Sequence, residues 1–307
     1  MILCCGEALI DMLPHPANDG ARAYVPHAGG AVFNTAVALG RLGVSAGFFS
    51  GLSTDPFGAL LDDALRASRV DTRHVRRSGR PTTLAFVTLS NGQAQYLFYD
   101  ENTAGRMLEP RDLPVLDDAV DALLFGGISL ISEPCGSAYE ALMARERDRR
   151  AIMLDPNIRP DFIADPRRHR TRIRRMMSMS DIVKLSDEDL AWLTGGDSDG
   201  AARGLLDLGP SLVVVTRGAD GAIGHAAGRT IAVPARKVDI ADTLGAGDTF
   251  NAGLLAFLSE HRLLSKPALA GLGDEAISGA LAFAARAAAV TVSVSYTHLT
   301  LPTSDLV

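Results

Sequence analysis

The sequence predicts an α/β fold: a mostly parallel central sheet with helices on both faces, and a small β lid. Short apolar runs of strand length alternate with longer segments of helical period. One region, 82–100, switches instead to period-two alternation around Asn91-Gly92, a strong hairpin turn signal. No internal repeat or low-complexity linker interrupts the pattern.

In chain order, the apolar runs 2–10, 46–52, 122–127, 151–155, 182–185 and 212–216 read as buried strands. Between them, 32–42, 57–68, 134–149, 167–179, 187–193, 201–208, 249–261 and 275–289 carry the helical pattern. Such alternation forms a parallel sheet whose ligand lies beyond the carboxyl ends of the strands. The strands 82–90 and 93–100, with the extended segment 21–27, are expected to form a lid that keeps water from a transferable group.

The chain has 307 residues, 47% of them hydrophobic, enough for a large core: one main domain with an appendage. A net charge of −6 gives no footprint for nucleic acid or an anionic membrane. The arginine-rich stretches 145–150 and 167–175 lack interleaved aromatic residues and read as solvated faces of amphipathic helices. Of three cysteines, Cys4 and Cys5 are adjacent on a strand and face opposite ways, so neither a disulfide framework nor a spaced metal site is expected. A reducing cytoplasm fits. The start Met1-Ile2-Leu3 has no basic residues and its apolar run breaks at Gly6, Glu7 and Asp11, unlike a signal peptide. No stretch reads as long and apolar enough to span a bilayer.

The most informative run is Asp242-Thr243-Leu244-Gly245-Ala246-Gly247-Asp248-Thr249-Phe250-Asn251, which leads directly into an apolar helix. Small residues at a helix start let backbone N–H groups approach a ligand, and the unpaired donors with the helix dipole attract anions. A carboxylate at Asp248 would repel that anion unless it serves to take a proton from an attacking hydroxyl. Anion holder plus base points to phosphoryl transfer. The structural alternative is an N-capped helix, with Asp242 or Asp248 as cap. No Gly-Lys-Ser/Thr follows a glycine loop, and the third glycine of a dinucleotide fingerprint would fall on Phe250, so neither motif applies.

A second cluster, Gly29-Gly30-Ala31-Val32-Phe33-Asn34, precedes another helical run. It serves close helix packing, or it lets sugar hydroxyls lie against backbone with Asn34 donating and accepting.

Together these two runs resemble the signatures of the ribokinase-like, or PfkB, carbohydrate kinases. The resemblance covers about residues 1–292 and extends to Gly6-Glu7-Ala8-Leu9-Ile10-Asp11, Asp155-Pro156-Asn157-Ile158-Arg159-Pro160 and Thr216-Arg217-Gly218-Ala219-Asp220-Gly221. It implies a three-layer α/β/α fold: a main domain of 1–11, 28–81 and 106–292, and a lid of 12–27 and 82–105. It also implies roles. Asp248 is the base, and the N–H groups of Gly245, Ala246 and Gly247 form the anion hole. Asp11, Gly29, Gly30, Asn34 and Arg159 bind the acceptor; Thr216, Gly218, Gly221 and Asn251 line the ATP site. A monovalent cation, K⁺, adjoins Asp242 and Thr243, and Mg²⁺ arrives with ATP. Where many members carry Asn-x-x-Glu near that metal, this chain reads Ser186-Asp187-Glu188-Asp189, leaving Glu188 or Asp189 to orient metal-bound water, or simply to start a helix.

Within the family the quoted pieces, with Ile131-Ser132-Glu133-Pro134, look most like fructokinases, implying D-fructose phosphorylated at its 6-hydroxyl. Ribose and 2-keto-3-deoxygluconate stay open as acceptors; the keto acid needs a cation, which Arg159 or Arg106 could supply. A non-catalytic sugar-binding protein is the alternative of another class, which the intact Asp248 argues against. A homodimer through the lids rests on resemblance alone. The tail 293–307 matches no family ending and is expected to be disordered.

Overall fold

The computed structural model describes residues 1–17, 21–90, 93–196 and 199–293. The Asn91-Gly92 turn and all but the first residue of the atypical tail lie outside them. The strands are β1 (Ile2–Cys5), β2 (Leu9–Pro16), β3 (Arg22–Gly29), β4 (Ala46–Phe49), β5 (Gly51–Ser53), β6 (Arg76–Ser78) and β7 (Thr83–Ser90). They continue with β8 (Gln93–Tyr99), β9 (Ala122–Gly126), β10 (Ala151–Asp155), β11 (Ile182–Ser186), β12 (Leu212–Thr216), β13 (Ala222–Ala226) and β14 (Arg229–Val233). The helices are α1 (Ala31–Arg41), α2 (Pro56–Ala67), α3 (Cys135–Glu146), α4 (Pro166–Met177), α5 (Asp187–Thr194), α6 (Asp199–Gly204), α7 (Ala246–Glu260), α8 (Lys266–Ala270) and α9 (Asp274–Val292).

The main sheet runs β14-β13-β12-β11-β10-β9-β1-β4, parallel from β12 to β4 with antiparallel β13 and β14 at one edge. Cys4 and Cys5 point to opposite faces, as their alternation requires. Cys4 joins a core with α1, α7 and α9, and Cys5 one with α3, α4 and α5. Burial pushes both thiols up, so both are packing groups rather than nucleophiles.

A second sheet, β3-β2-β7-β8, forms the lid. The run expected as one strand over 2–10 is split: β1 ends at Cys5 and β2 starts at Leu9 in the other sheet. The reason is steric, since a Cβ at Gly6 would collide with Val32, and the chain turns there against α1. In the lid, Asp11, Ala85 and Phe98 stand side by side in register. Phe98 packs tilted against Phe162, ring centroids 4.9 Å apart, closing that edge of the lid.

Other differences have local causes. The 46–52 run divides because Gly51 abuts the Ala104 backbone, and β5 pairs with β6 rather than joining the main sheet. Segment 201–208 is α6 followed by a 3-10 turn, Leu205–Leu208. β6, β13, β14 and α8 are short and weakly periodic, and sequence analysis passes over them. Arg150 and Arg172, expected on solvated faces, are each 5% exposed. Arg150 pairs with Glu146 at 2.9 Å, and Arg172 with Glu140 at 3.3 Å and with Glu133. Their neighbours Arg147, Arg149, Arg174 and Arg175 are exposed, as expected of the amphipathic pattern. α9 is long and apolar enough by length and composition to cross a membrane, contrary to the sequence expectation. Its Ile277, Ala280, Leu281 and Ala284 are buried in the main core, which is what an apolar core helix requires.

Candidate functional site

The N-cap of α7 is Gly245, whose left-handed φ of 76° turns the chain into the helix with no side-chain cap. Neither Asp242 nor Asp248 is therefore the N-cap; the Asp242 carboxylate instead accepts from Leu244 N–H at 2.9 Å within the preceding loop. That loop is tied to the end of α9, since Ala241 N–H donates to the Val292 carbonyl at 2.8 Å. Gly247 and Asp248 fall at the second and third helical positions, where backbone N–H groups have no intrahelical acceptor. Ala246 N–H reaches the Thr243 carbonyl at 3.4 Å, a long contact for such a donor.

A cavity of about 210 Å³ lies in front of this turn, at the carboxyl ends of the parallel strands. Asp11, Gly30, Asn34, Arg159, Thr243, Gly245, Gly247 and Asp248 all line it, so residues chosen from four separate stretches of sequence meet there. Glu7, Asn157 and Phe98 line it too and were not singled out from the sequence. Of these, Asn157 had the most readable signal: it lies in the quoted Asp155–Arg159 stretch and takes a left-handed φ of 45°.

Asp248 is 8% exposed. Burial pushes its carboxyl up to about 7, the Asn34 amide opposes that, the Asp155 charge adds to it, and Lys184 and Arg159 oppose it. Asn34 Nδ2 donates to Asp248 Oδ2 at 2.8 Å, and Thr35 Oγ1 to the Asp248 carbonyl at 3.1 Å. α1 thus orients the carboxylate. A carboxylate with this proton affinity exchanges a proton with a hydroxyl near neutral pH.

Glu7 locks the junction of the sheets. Its carboxylate accepts from Ala31 N–H at 3.0 Å and Ser129 N–H at 3.3 Å, and burial holds it above the usual carboxylate range. Glu7→Ala leaves both donors without that acceptor and is expected to destabilise the fold by about 1–3 kcal/mol. A urea melt reads this directly, and an unchanged midpoint would remove the locking role.

The remaining candidates sit elsewhere. Gly29 is buried at the end of β3, paired with Leu9, behind the cavity wall. Thr216 ends β12, its hydroxyl donating to the Leu185 carbonyl at 3.3 Å. Gly218 and Gly221 follow in the next turn, with φ of 51° and 94°. A Cβ at Gly221 would strike the Val233 carbonyl, so that glycine also serves packing against β14. Asn251, expected beside the nucleotide, is 2% exposed beneath α7, its Nδ2 donating to Asp155 Oδ2 at 2.6 Å. Glu188 is exposed at the start of α5, whereas Asp189 is buried and accepts from Ile158 N–H at 2.8 Å and Ser186 N–H at 3.1 Å. Ser186 and Asp189 form a capping box, so the acidic run does start a helix.

A larger cavity of about 850 Å³ lies between the lid and α4, on the other side of Phe98. Its arginines are matched by carboxylates: Arg106 with Asp100 at 2.7 Å, Arg168 with Glu133 at 2.6 Å. Arg106 is therefore engaged outside the smaller cavity, and Arg159 is the one of the two candidate cations that lines it. The smaller cavity, with a helix N-terminus and a proton-accepting carboxylate converging on it, is the chemically competent one.

The chain is similar to known proteins over most of its length. The pfkB family of carbohydrate kinases matches residues 1–304. A fructokinase from Rhizobium leguminosarum bv. trifolii is 54% identical over 278 residues, 90% of this chain and 85% of that protein. The crystal structure of a fructokinase from Xylella fastidiosa with bound ATP superposes with a TM-score of 0.90 at 29% identity, covering 99% of this chain and 96% of that one. A double-mutant fructokinase from Vibrio cholerae O395, bound to fructose, ADP and a potassium ion, gives a TM-score of 0.85 at 27% identity, covering 98% and 94%.

Proposed function

This chain belongs to the pfkB family of carbohydrate kinases and is a fructokinase-like phosphotransferase, and from that premise we propose that it transfers the γ-phosphoryl group of ATP to the 6-hydroxyl of D-fructose. The observation that carries the reading is Asp248, buried in the first turn of α7 with its carboxyl raised to about 7 and facing the cavity beside Gly245 and Gly247.

In this reading Asp248 takes the proton of the sugar hydroxyl as its oxygen bonds to phosphorus, and ADP leaves with the electron pair of the broken bond. The N–H groups of Gly245, Ala246 and Gly247 face the charge on the migrating group, fixed in place by the turn before it forms. Asn34 holds Asp248 in register, while Asp11, Gly30 and Arg159 hold the sugar hydroxyls. The lid sheet, β3-β2-β7-β8, covers the acceptor from the Phe98 side and excludes water. Thr216, Gly218 and Gly221 meet the nucleotide beyond β12. Asp242 and Thr243, whose carbonyls and carboxylate are hard oxygen donors, would hold K⁺, and Mg²⁺ would arrive with ATP, where Glu188 would orient its bound water.

Fructose as acceptor draws support from the fructokinase relatives. Coupled ADP release with Mg-ATP and K⁺ across fructose, ribose, 2-keto-3-deoxygluconate and a no-sugar blank tests it. Fructose is expected to have the highest kcat/KM; a clear lead for either other sugar overturns the acceptor assignment. Sugar-dependent thermal stabilisation with no ADP in any well would make the chain a binding protein.

The same reading fixes a pH dependence. Asp248 must be ionised to accept a proton, so kcat is expected to fall as pH drops through about 7. A rate flat from pH 5 to 8 would remove Asp248 as the titrating base.

A further inference from the structure

Beneath the first turn of α7 lies an ion pair that the mechanism above does not use. Lys184, at the centre of β11, and Asp155, the last residue of β10, are 5% and 4% exposed. Their Nζ and Oδ2 atoms stand 3.1 Å apart. Asp155 Oδ2 also accepts from Asn251 Nδ2 at 2.6 Å, while Asp155 Oδ1 and Asn251 Oδ1 are buried without a protein partner. Asn251 lies one turn beyond Gly247 on the same face of α7. A Cβ built on Gly247 would come within 3.2 Å of Lys184 Nζ, so the ammonium packs directly under the turn that borders the cavity.

A pair buried this deeply gives little net stability over apolar side chains of the same size, because desolvation offsets the attraction. Its position supplies the missing reason. Asp155 on its own would set a second negative charge beside Asp248 and beside any anion at the α7 N-terminus. A cation paired with Asp155 and felt at Asp248 offsets that field and keeps the turn favourable to an anion.

We propose that Lys184 is a positioning residue for phosphoryl transfer: its ammonium, fixed by Asp155 and through it by Asn251, supports the α7 turn and offsets the Asp155 charge at Asp248. The charged and polar groups facing Asp248 are Asn34 from α1, Asp155 from β10, Arg159 from the loop after β10 and Lys184 from β11. Those facing Lys184 are Asp155, Asp189 from α5 and Asp248; although burial lowers its proton affinity, these three carboxylates hold it above the ordinary lysine value, so it stays charged. The role rests on the kinase reading, and the two fail differently. An inactive wild-type chain sinks that reading, whereas this one fails only on an active wild type with indifferent variants.

The test is steady-state kinetics against pH for the full chain with fructose, Mg-ATP and K⁺. In Lys184→Met the acid limb of kcat is expected to move up by about one pH unit, because Asp248 loses its counter-charge. kcat at neutral pH should drop by about tenfold or more, with KM for fructose within about threefold, the pattern of an interaction felt in the transition state. In Lys184→Met/Asp155→Asn the charge is removed from both sides, and the limb should return to or below its wild-type position. A folded Lys184→Met with wild-type kcat and an unmoved limb overturns the proposal. So does a rate loss in both variants with no movement of the limb, which would mark a merely structural pair. If the lone carboxylate prevents Lys184→Met from folding, the double variant decides: reduced kcat with a limb below wild type supports the role, and a limb at the wild-type position, whatever the kcat, overturns it.

Discussion

Asp248→Asn should fold normally, bind sugar and nucleotide, and lose about 10²- to 10⁴-fold in kcat, the range a positioned general base supplies. The substitution keeps shape and volume in a site that is 8% exposed, so no cavity opens. It also removes a buried ionisable group whose carboxyl burial already pushes up to about 7. The fold should therefore lose little. Asn34 can still meet an amide by turning its own oxygen toward it. What goes is the ability to accept a proton from the attacking hydroxyl. Calorimetric titration with fructose and a thermal melt establish binding and folding, and single-turnover ADP formation reads the chemistry. An unchanged rate in a folded, sugar-binding variant would make the helix N-terminus sufficient and leave Asp248 a packing residue.

Gly245→Val is expected to lower kcat by about 10²- to 10³-fold, the effect of displacing one preorganised donor. Gly245 sits at φ 76° and ψ 0° as the residue that turns the chain into α7. A β-branched side chain avoids that region at a cost of about 1–2 kcal/mol, so the turn relaxes and the N–H groups behind it move. The melting temperature should fall with the rate. Gly247→Ala is the milder comparison: its backbone is helical, and the added methyl would come within 3.2 Å of Lys184 Nζ alone. Equal losses in the two variants would mean that bulk at the cavity, rather than backbone conformation, decides the rate.

The legible part of the fold was its repeating part. β9, β10, β11 and β12 were read nearly to their ends because buried parallel strands are short apolar runs, and that signal sits within a window of a few residues. β13 and β14 escaped because their antiparallel pairing at the sheet edge leaves Arg229 and Thr230 exposed and puts Gly224 in the middle of a strand. The run 2–10 looked continuous because both of its halves are buried; the break at Gly6 comes from contact with Val32, on another element.

The sequence by itself determined the alternation of strands and helices, the lid hairpin, and a glycine turn with a carboxylate where a helix begins. Each is a property of neighbours in the chain, governed by side-chain period or backbone freedom. The tertiary structure decided what meets the carboxylate. Asn34 reaches Asp248 across 214 positions, Lys184 reaches Asp155 across 29, and Asn251 reaches Asp155 across 96. Strand order and helix crossing bring these groups together, and neither is written in any local window. The same burial that assembles them excludes water, and that exclusion raises the proton affinity of Asp248 from an ordinary aspartate to about 7.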